Sequence, residues 1–161
     1  MKKLNYAIIA LLITITSFAQ VNDNALGLRG ELGDGENRGE ISYQLGLGDA
    51  NRLELDLGYS RQNAADEITL AGIYHWVFNI GGGFNLFIGP GARVGSYLGG
   101  NTEARGLTLA LGGQVGAEYD FSDYGNGPPI LISFDTRPMY RFSSGNDGLG
   151  YGGAFALRIV F

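Results

Sequence analysis

His75 is the one side chain that could serve as a conventional acid–base group at neutral pH, because the sequence has a single histidine and no cysteine. The nearest positions of the same parity along the chain are Ala71, Ile73 and Val77, and none of them carries a hydroxyl or a carboxylate. A catalytic role for His75 would therefore require a partner from a segment that is distant in sequence.

A second chemical pattern is the alternation of charged residues with apolar ones. Arginine binds carboxylates in a bidentate fashion and keeps its charge, so these residue types suit ion pairs in a confined space. Buried charges are tolerated only when they are paired. The charged residues that alternation places on one common face are Arg29, Glu31, Glu40, Glu54, Asp56, Glu67, Arg93, Glu118, Asp120, Asp135, Arg137, Arg141 and Arg158.

Two glycine-containing patterns resemble ligand loops only superficially. The runs NIGGGFN and LGGN are not followed by the Gly-Lys-Ser/Thr of a phosphate-binding loop. The segment GDGENRGE lacks the alternating acidic ligands and the terminal glutamate of a calcium loop. We expect turns at these places and predict no metal and no cofactor.

The segments that carry these residues alternate with period two, which is typical of β-strands with one apolar and one polar face. In RLELDLGYS, the leucines and Tyr59 oppose Glu54 and Asp56. The same pattern recurs with turn-rich connections between the segments. The predicted strands cover 25–32, 39–47, 52–60, 67–78, 84–98, 106–121, 130–142 and 149–161.

The N-terminal segment has the pattern of a secretory signal peptide. Two lysines precede an apolar core, Tyr6 to Ile15, which is much shorter than the roughly 20 residues of a spanning helix, and Ser17-Phe18-Ala19 follows as a small-residue cleavage site. We predict a signal peptide over 1–19 and one domain over 20–161. Without the leader's lysines, the chain keeps nine arginines against 16 acidic residues, a formal charge of −7 that argues against nucleic acid binding.

Eight antiparallel strands can close into a barrel in two ways. A soluble lipocalin-like carrier would turn the apolar face inward, whereas a membrane barrel would turn it outward. The interior of an eight-stranded barrel is only just wide enough for side chains. The polar faces carry many small residues and the apolar faces carry bulky ones, so the sequence favours an all-β, eight-stranded, antiparallel up-and-down transmembrane β-barrel. The soluble carrier is kept as an alternative.

The end of the chain resembles a known signal. Alternating hydrophobic residues closed by a C-terminal aromatic residue, here Phe155, Leu157, Ile159 and Phe161, are similar to the last strand of the small eight-stranded outer-membrane β-barrels of Gram-negative bacteria, the OmpX- and OmpA-like barrels. The resemblance covers 25–161 as a pattern. It implies Sec-type export, chaperones and the barrel-assembly machinery in transit, contact with outer-membrane lipid and lipopolysaccharide, and a monomer.

The predicted barrel leaves several functions open. Strand three should lie opposite strand seven, so that Glu54 and Asp56 face Arg137 and, farther up, Arg141. We expect these charges to close the lumen, which favours a structural or protective, non-enzymatic barrel. A small-solute conduit or ligand-binding barrel is the first alternative. A lipid-modifying enzyme resembling lipid A deacylases or acyltransferases, using His75, is the second.

Pro90 and Pro138 predict a bulge or bend in their strands, because proline donates no ladder hydrogen bond.

Overall fold

The computed structural model describes residues 24–33, 36–62, 65–98, 106–123, 127–142 and 147–161. The predicted signal peptide and parts of five predicted connections lie outside these residues. Within them the chain forms strands and one short 3-10 helix, Phe121–Asp123. The strands are β1 (Asn24–Gly33), β2 (Glu36–Gly46), β3 (Asn51–Gln62), β4 (Ala65–Gly81), β5 (Phe84–Leu98), β6 (Leu107–Asp120), β7 (Ile130–Thr136), β8 (Met139–Phe142), β9 (Gly148–Gly150) and β10 (Gly153–Val160).

These strands form one closed antiparallel sheet. Strands β1 to β6 pair in chain order, β7 and β8 both pair with β6, and β10 returns to pair with β1. β7 and β8 are thus successive halves of the seventh barrel strand, and β9 and β10 are halves of the eighth. The described residues therefore build the predicted eight-stranded up-and-down β-barrel.

Alternation decides which side chains face inward, because successive side chains of a strand point to opposite faces. The bulky apolar side chains are exposed on the outside, and charged and small ones fill the inside. In β3, for example, Leu55 and Leu57 point outward, while Glu54 and Asp56 are fully buried. This arrangement is the reverse of a lipocalin-like carrier, whose pocket would need the apolar side chains inside.

Exposed aromatic side chains lie toward both ends of the barrel. Trp76, Phe78 and Phe84 lie toward the end that carries the termini, where Phe84 and Tyr119 form an edge-on pair with centroids 4.5 Å apart. Tyr59, Tyr140, Phe142 and Tyr151 lie toward the opposite end. Two such bands are typical of a barrel that spans a membrane. In the described part of the chain, no helix has the length and apolar character needed to cross a membrane.

The connection between β4 and β5 requires glycine. Gly81, Gly82 and Gly83 have φ values of 94°, 64° and 81°, in the region that other residues rarely adopt. A Cβ on Gly83 would also lie 2.6 Å from the carbonyl oxygen of Asp120. The predicted turn NIGGG is therefore a tight reversal set by backbone conformation.

The two prolines interrupt pairing without shifting its register. Strand β5 keeps one register with β4 on both sides of Pro90, although two residue pairs there are skipped. Arg137 and Pro138 separate β7 from β8, which continue in the same register against β6. At both prolines the irregularity is therefore a gap in the hydrogen-bonded ladder, without a change of register. The register of β4 against β5 shifts elsewhere, between Asn79 and Gly81.

Candidate functional site

The interior of the barrel is the candidate site, because the charged side chains singled out in the sequence converge there. The buried set combines arginines, carboxylates and neutral hydrogen-bonding residues from all eight barrel strands. Inward glycines leave space for them: a Cβ on Gly58 would lie 2.9 Å from the Cδ of Arg38, and one on Gly95 would lie 2.6 Å from the Oε1 of Glu67. The many glycines of the sequence therefore serve partly to admit long charged side chains.

Glu54 lies at the centre of this interior and accepts hydrogen bonds from four side chains. Nη2 of Arg137 and Nη2 of Arg158 each lie 2.9 Å from a Glu54 oxygen. The side-chain amides of Gln44 and Gln114 donate to the same carboxylate at 2.7 and 3.1 Å. Four barrel strands besides β3 thus hold one fully buried charge.

Asp56 is the second carboxylate at this level. Nη2 of Arg137 lies 2.6 Å from its Oδ2. No other arginine within ion-pair distance of Asp56 is found in the part of the chain that the structure describes. The charge of Asp56 thus depends mainly on Arg137.

Arg29 joins the first, second and seventh barrel strands. Its Nε and Nη2 donate to the two carboxylate oxygens of Asp135 at 3.2 and 2.6 Å, a bidentate pair. Its Nη1 donates to Glu40 at 2.5 Å and to Glu31 at 3.1 Å. Because these carboxylates come from three strands, Arg29 acts as a cross-link of the barrel wall from inside.

A further group of ion pairs lies toward the end opposite the termini. Nη2 of Arg93 lies 2.8 Å from Glu31, and Nη2 of Arg38 lies 3.0 Å from Glu67. The hydroxyl of Thr108 also donates to Glu67 at 3.0 Å. These side chains border a polar cavity of about 280 Å³ at this end. Arg141 borders the same cavity and is half-buried.

His75 lies nearer the end that carries the termini and is fully buried. The Nε of Arg52 donates to its Nδ1 at 3.2 Å, so Nε2 carries the proton and donates to the Oε1 of Gln114 at 3.2 Å. The ring also contacts Phe87, with centroids 4.8 Å apart. Arg52 in turn pairs with Glu118 at 2.7 Å.

This environment is that of a structural histidine. Both ring nitrogens are engaged by side chains that offer neither a nucleophilic hydroxyl nor a carboxylate to His75. A general base needs access to a substrate proton, and the fully buried ring has none. Within the described residues, no group of histidines and acidic residues is arranged to hold a metal ion.

The structure brings most of the sequence-derived residues into mutual contact and adds two that sequence reasoning missed. The predicted strands 25–32 and 39–47 leave Arg38 in the first connection, but β2 begins at Glu36 and Arg38 lies inside the strand. Arg52 is the second residue of β3 and shares the parity of Glu54. Parity identifies Arg52 within the predicted strand 52–60, and it identifies Arg38 once the predicted strand 39–47 is extended by one residue.

The residues of the predicted insertion signal lie on the outside of the last strand. Phe155, Leu157 and Ile159 are exposed, as alternation requires. The backbone N–H of Phe161 donates to the carbonyl oxygen of Asn24 at 3.0 Å, so both ends of the described barrel lie together.

Three solved structures resemble this fold. Neisserial surface protein A has a TM-score of 0.60 and 13% sequence identity, covering 86% of this chain and 94% of that one. The N-terminal β-barrel domain of Pseudomonas aeruginosa OprF has a TM-score of 0.60 and 15% identity, covering 87% and 98%. A de novo designed transmembrane β-barrel has a TM-score of 0.55 and 10% identity, covering 89% and 99%.

No protein-family model matches the sequence, and no curated protein is significantly similar to it. The three structural likenesses concern the fold. The chain has the fold of the small eight-stranded outer-membrane β-barrels, a transmembrane β-barrel fold.

Proposed function

We propose that this protein is an integral barrel of a Gram-negative outer membrane, with a structural or protective role and a lumen closed by its own ion pairs. The observation that carries the proposal is the set of contacts around Glu54, where arginines from the seventh and eighth barrel strands meet one carboxylate of the third. These side chains cross the barrel at its centre and occupy the space that a conduit would need.

The outer surface supports the membrane location. Large apolar side chains are exposed around the whole circumference, where water would penalise them and lipid would not. An exposed apolar band between aromatic girdles is the arrangement that suits a bilayer. The structural neighbours from Neisseria and Pseudomonas point to the same location.

The orientation follows from the strand count. With eight strands, both ends of the barrel chain lie on one side, and the tight turn at Gly82 lies there too. By analogy with the small outer-membrane barrels, this side faces the periplasm. The cavity bordered by Arg38, Arg93 and Arg141 then opens toward the outside.

Two measurements, made one after the other, test the proposal. Heat-modifiable gel mobility of the protein from outer-membrane fractions tests the membrane barrel, because closed barrels resist detergent until they are heated. Planar-bilayer conductance then tests the closed lumen. We expect no resolved channel from the wild type and measurable leakage when Arg137 or Glu54 is replaced by alanine. Arg61→Gln, which alters an exposed pair on the outer surface, is the control and should conduct no more than the wild type.

A binding role is the second candidate, and the polar cavity of about 280 Å³ favours it. Its size and its mixed charges would suit a small polar solute held at the outer mouth, without passage through the lumen. A wild-type barrel that binds such solutes while its conductance stays at background would support this candidate.

A further inference from the structure

We propose that the polar cavity at the outer mouth of the barrel binds one small oxyanion that carries a hydroxyl group, of which hydrogen phosphate is the simplest, between Arg93 and Arg141. This inference deepens the binding role named above as the second candidate, and it rests on the same orientation of the barrel. We name the site the Arg93 cavity and define it by six of the residues that border it: Glu31, Arg93, Ala110, Met139, Arg141 and Gly148.

Two arginines flank a small residue in one row of the barrel wall. Arg93 of β5 and Arg141 of β8 both pair with Ala110 of β6, which therefore stands between them. Because neighbouring strands lie about 4.8 Å apart, the Cα atoms of the two arginines are separated by about 10 Å. Gly148 continues the row beyond Arg141, and a Cβ built on it would meet no atom within 4 Å. A long cationic side chain thus borders each side of a space that the row leaves open.

Arg93 has more donor atoms than its protein partners use. Its Nη2 donates to the Oε2 of Glu31 at 2.8 Å, and no other hydrogen bond of Arg93 is found in the part of the chain that the structure describes. Its Nε is buried without a hydrogen-bond partner, and only 9% of the residue is exposed. Buried donors in native proteins nearly always have an acceptor, because an unpaired one loses its hydration without compensation. An oxyanion in the cavity would supply such an acceptor.

Glu31 offers an acceptor beside this donor. Its hydrogen bonds within the described residues, from Arg29 and Arg93, both end on Oε2, so Oε1 can accept a hydrogen bond from a ligand. Glu67, which borders the same cavity, already accepts hydrogen bonds with both of its oxygens. A ligand beside Arg93 therefore meets arginine donors and one carboxylate acceptor, which suits an oxyanion that also carries a hydroxyl.

This combination of donor and acceptor selects among anions. Hydrogen phosphate has oxygens for an arginine fork and a hydroxyl proton for a carboxylate. Sulfate has the same shape but carries no proton at neutral pH, so it would bring an oxygen against the charge of Glu31. The phosphodiester of a lipid headgroup lacks that proton as well. A site that pairs with a ligand hydroxyl discriminates strongly against an analogue without one, so we expect the free ion to be preferred.

The cavity admits an ion from the outside and is closed at its inner side. Its volume of about 280 Å³ holds a small ion with several waters, since one water occupies about 30 Å³ in the liquid. Met139 and Arg137 border the cavity, and Arg137 is held by its ion pairs with Glu54 and Asp56. The ion pairs that close the lumen therefore also form the floor of the site.

The test is equilibrium dialysis of radiolabelled inorganic phosphate against the purified barrel in a non-ionic detergent at neutral pH. Gly148→Leu fills the space beside Arg141 without changing a charge. Gly153→Leu is its matched control, because Gly153 also has nothing within 4 Å of its Cβ and does not border the cavity. Arg93→Gln removes a guanidinium from the cavity, and Arg61→Gln is its control, since Arg61 is an exposed arginine of the outer surface.

We expect the wild type, Gly153→Leu and Arg61→Gln to bind one phosphate each with equal affinity. Arg93→Gln and Gly148→Leu should bind it at least about tenfold more weakly. Sulfate and phosphatidylglycerol should each displace the labelled phosphate from the wild type at least about tenfold less effectively than unlabelled phosphate does. Glu31→Gln should narrow the difference between phosphate and sulfate, because an amide can donate as well as accept.

A wild type that shows heat-modifiable mobility and binds no phosphate would overturn the site and leave the membrane barrel in place. Equal affinities of Gly148→Leu and Gly153→Leu would overturn its location. Sulfate that binds as tightly as phosphate would refute the hydroxyl-bearing ligand, and this comparison needs only the wild type, so it holds even if a variant fails to fold. Displacement by phosphatidylglycerol at lower concentrations than by phosphate would assign the cavity to a lipid headgroup instead. Failure of the membrane proposal is separate, because it appears as absent heat-modifiable mobility in the wild type.

Discussion

Replacing Arg137 with glutamine should expose how much of the barrel's stability depends on paired charges. Arg137 is fully buried and lies 2.9 Å from Glu54 and 2.6 Å from Asp56. After the substitution, Glu54 keeps Arg158 at 2.9 Å, whereas Asp56 loses its close arginine. One buried carboxylate is therefore left without compensation.

The expected loss follows from that single carboxylate. Breaking a buried ion pair by removing one partner costs about 3–5 kcal/mol, because the remaining charge stays desolvated. The exposed pair of Arg61 with Asp66 is the contrast, since such surface pairs contribute at most about 1 kcal/mol. We therefore expect Arg137→Gln to lower the free energy of unfolding by about 3–5 kcal/mol, and Arg61→Gln to change it little.

The assay is equilibrium unfolding in urea with the barrel in detergent micelles, monitored by far-ultraviolet circular dichroism. The second variant combines Arg137→Gln with Asp56→Asn, which removes the orphaned charge and should restore about half of the loss or more. It also keeps the test interpretable if the single variant fails to fold. The reasoning is refuted if Arg137→Gln costs no more than Arg61→Gln, because the lumen carboxylates would then be hydrated and effectively independent.

Four further substitutions test other parts of the structure. Leu70→Arg places a charge on the lipid-facing surface, where it should cost about 2–4 kcal/mol near the bilayer midplane and reduce insertion into vesicles, as measured by protease protection; unchanged insertion would contradict the outward apolar face. Phe161→Ala should lower the heat-modifiable fraction in outer membranes if this residue completes the insertion signal, while the same protein refolded in detergent should be unaffected. His75→Ala should leave the lipid A mass spectrum unchanged and lower the urea midpoint, and any altered lipid A would revive the enzymatic hypothesis. Gly83→Ala forces a side chain into a positive-φ turn against the Asp120 carbonyl and should destabilise the barrel by about 1–2 kcal/mol in the same unfolding assay.

The fold could be predicted because period-two alternation is a local property of the chain. Leu55 and Glu54 must point to opposite faces in any strand, so the two surfaces of the sheet follow from the sequence. The contrast between bulky apolar and small polar faces then decides which surface lies inside.

The partners inside the lumen were harder to predict, because they depend on closure and register. Counting strands places the third opposite the seventh, which suggests Arg137 as a neighbour of Glu54. The contact of Arg158 with Glu54, and of Arg29 with Asp135, depends on how the last strand is shifted against the first. Arg38 was missed for a local reason, since the turn-like composition around it hid the start of β2.

The contacts inside the barrel join segments that are far apart in the chain. Arg158 bonds to Ser42 across 116 residues, and Arg29 bonds to Asp135 across 106. Such bonds can form only after the first and last strands have met, so they belong to the final step of assembly and are absent while the sheet is still open. Interactions that are missing from the transition state slow escape from the native state without speeding its formation. The charged interior should therefore make the assembled barrel long-lived, and its loss should appear as faster unfolding at an unchanged rate of folding.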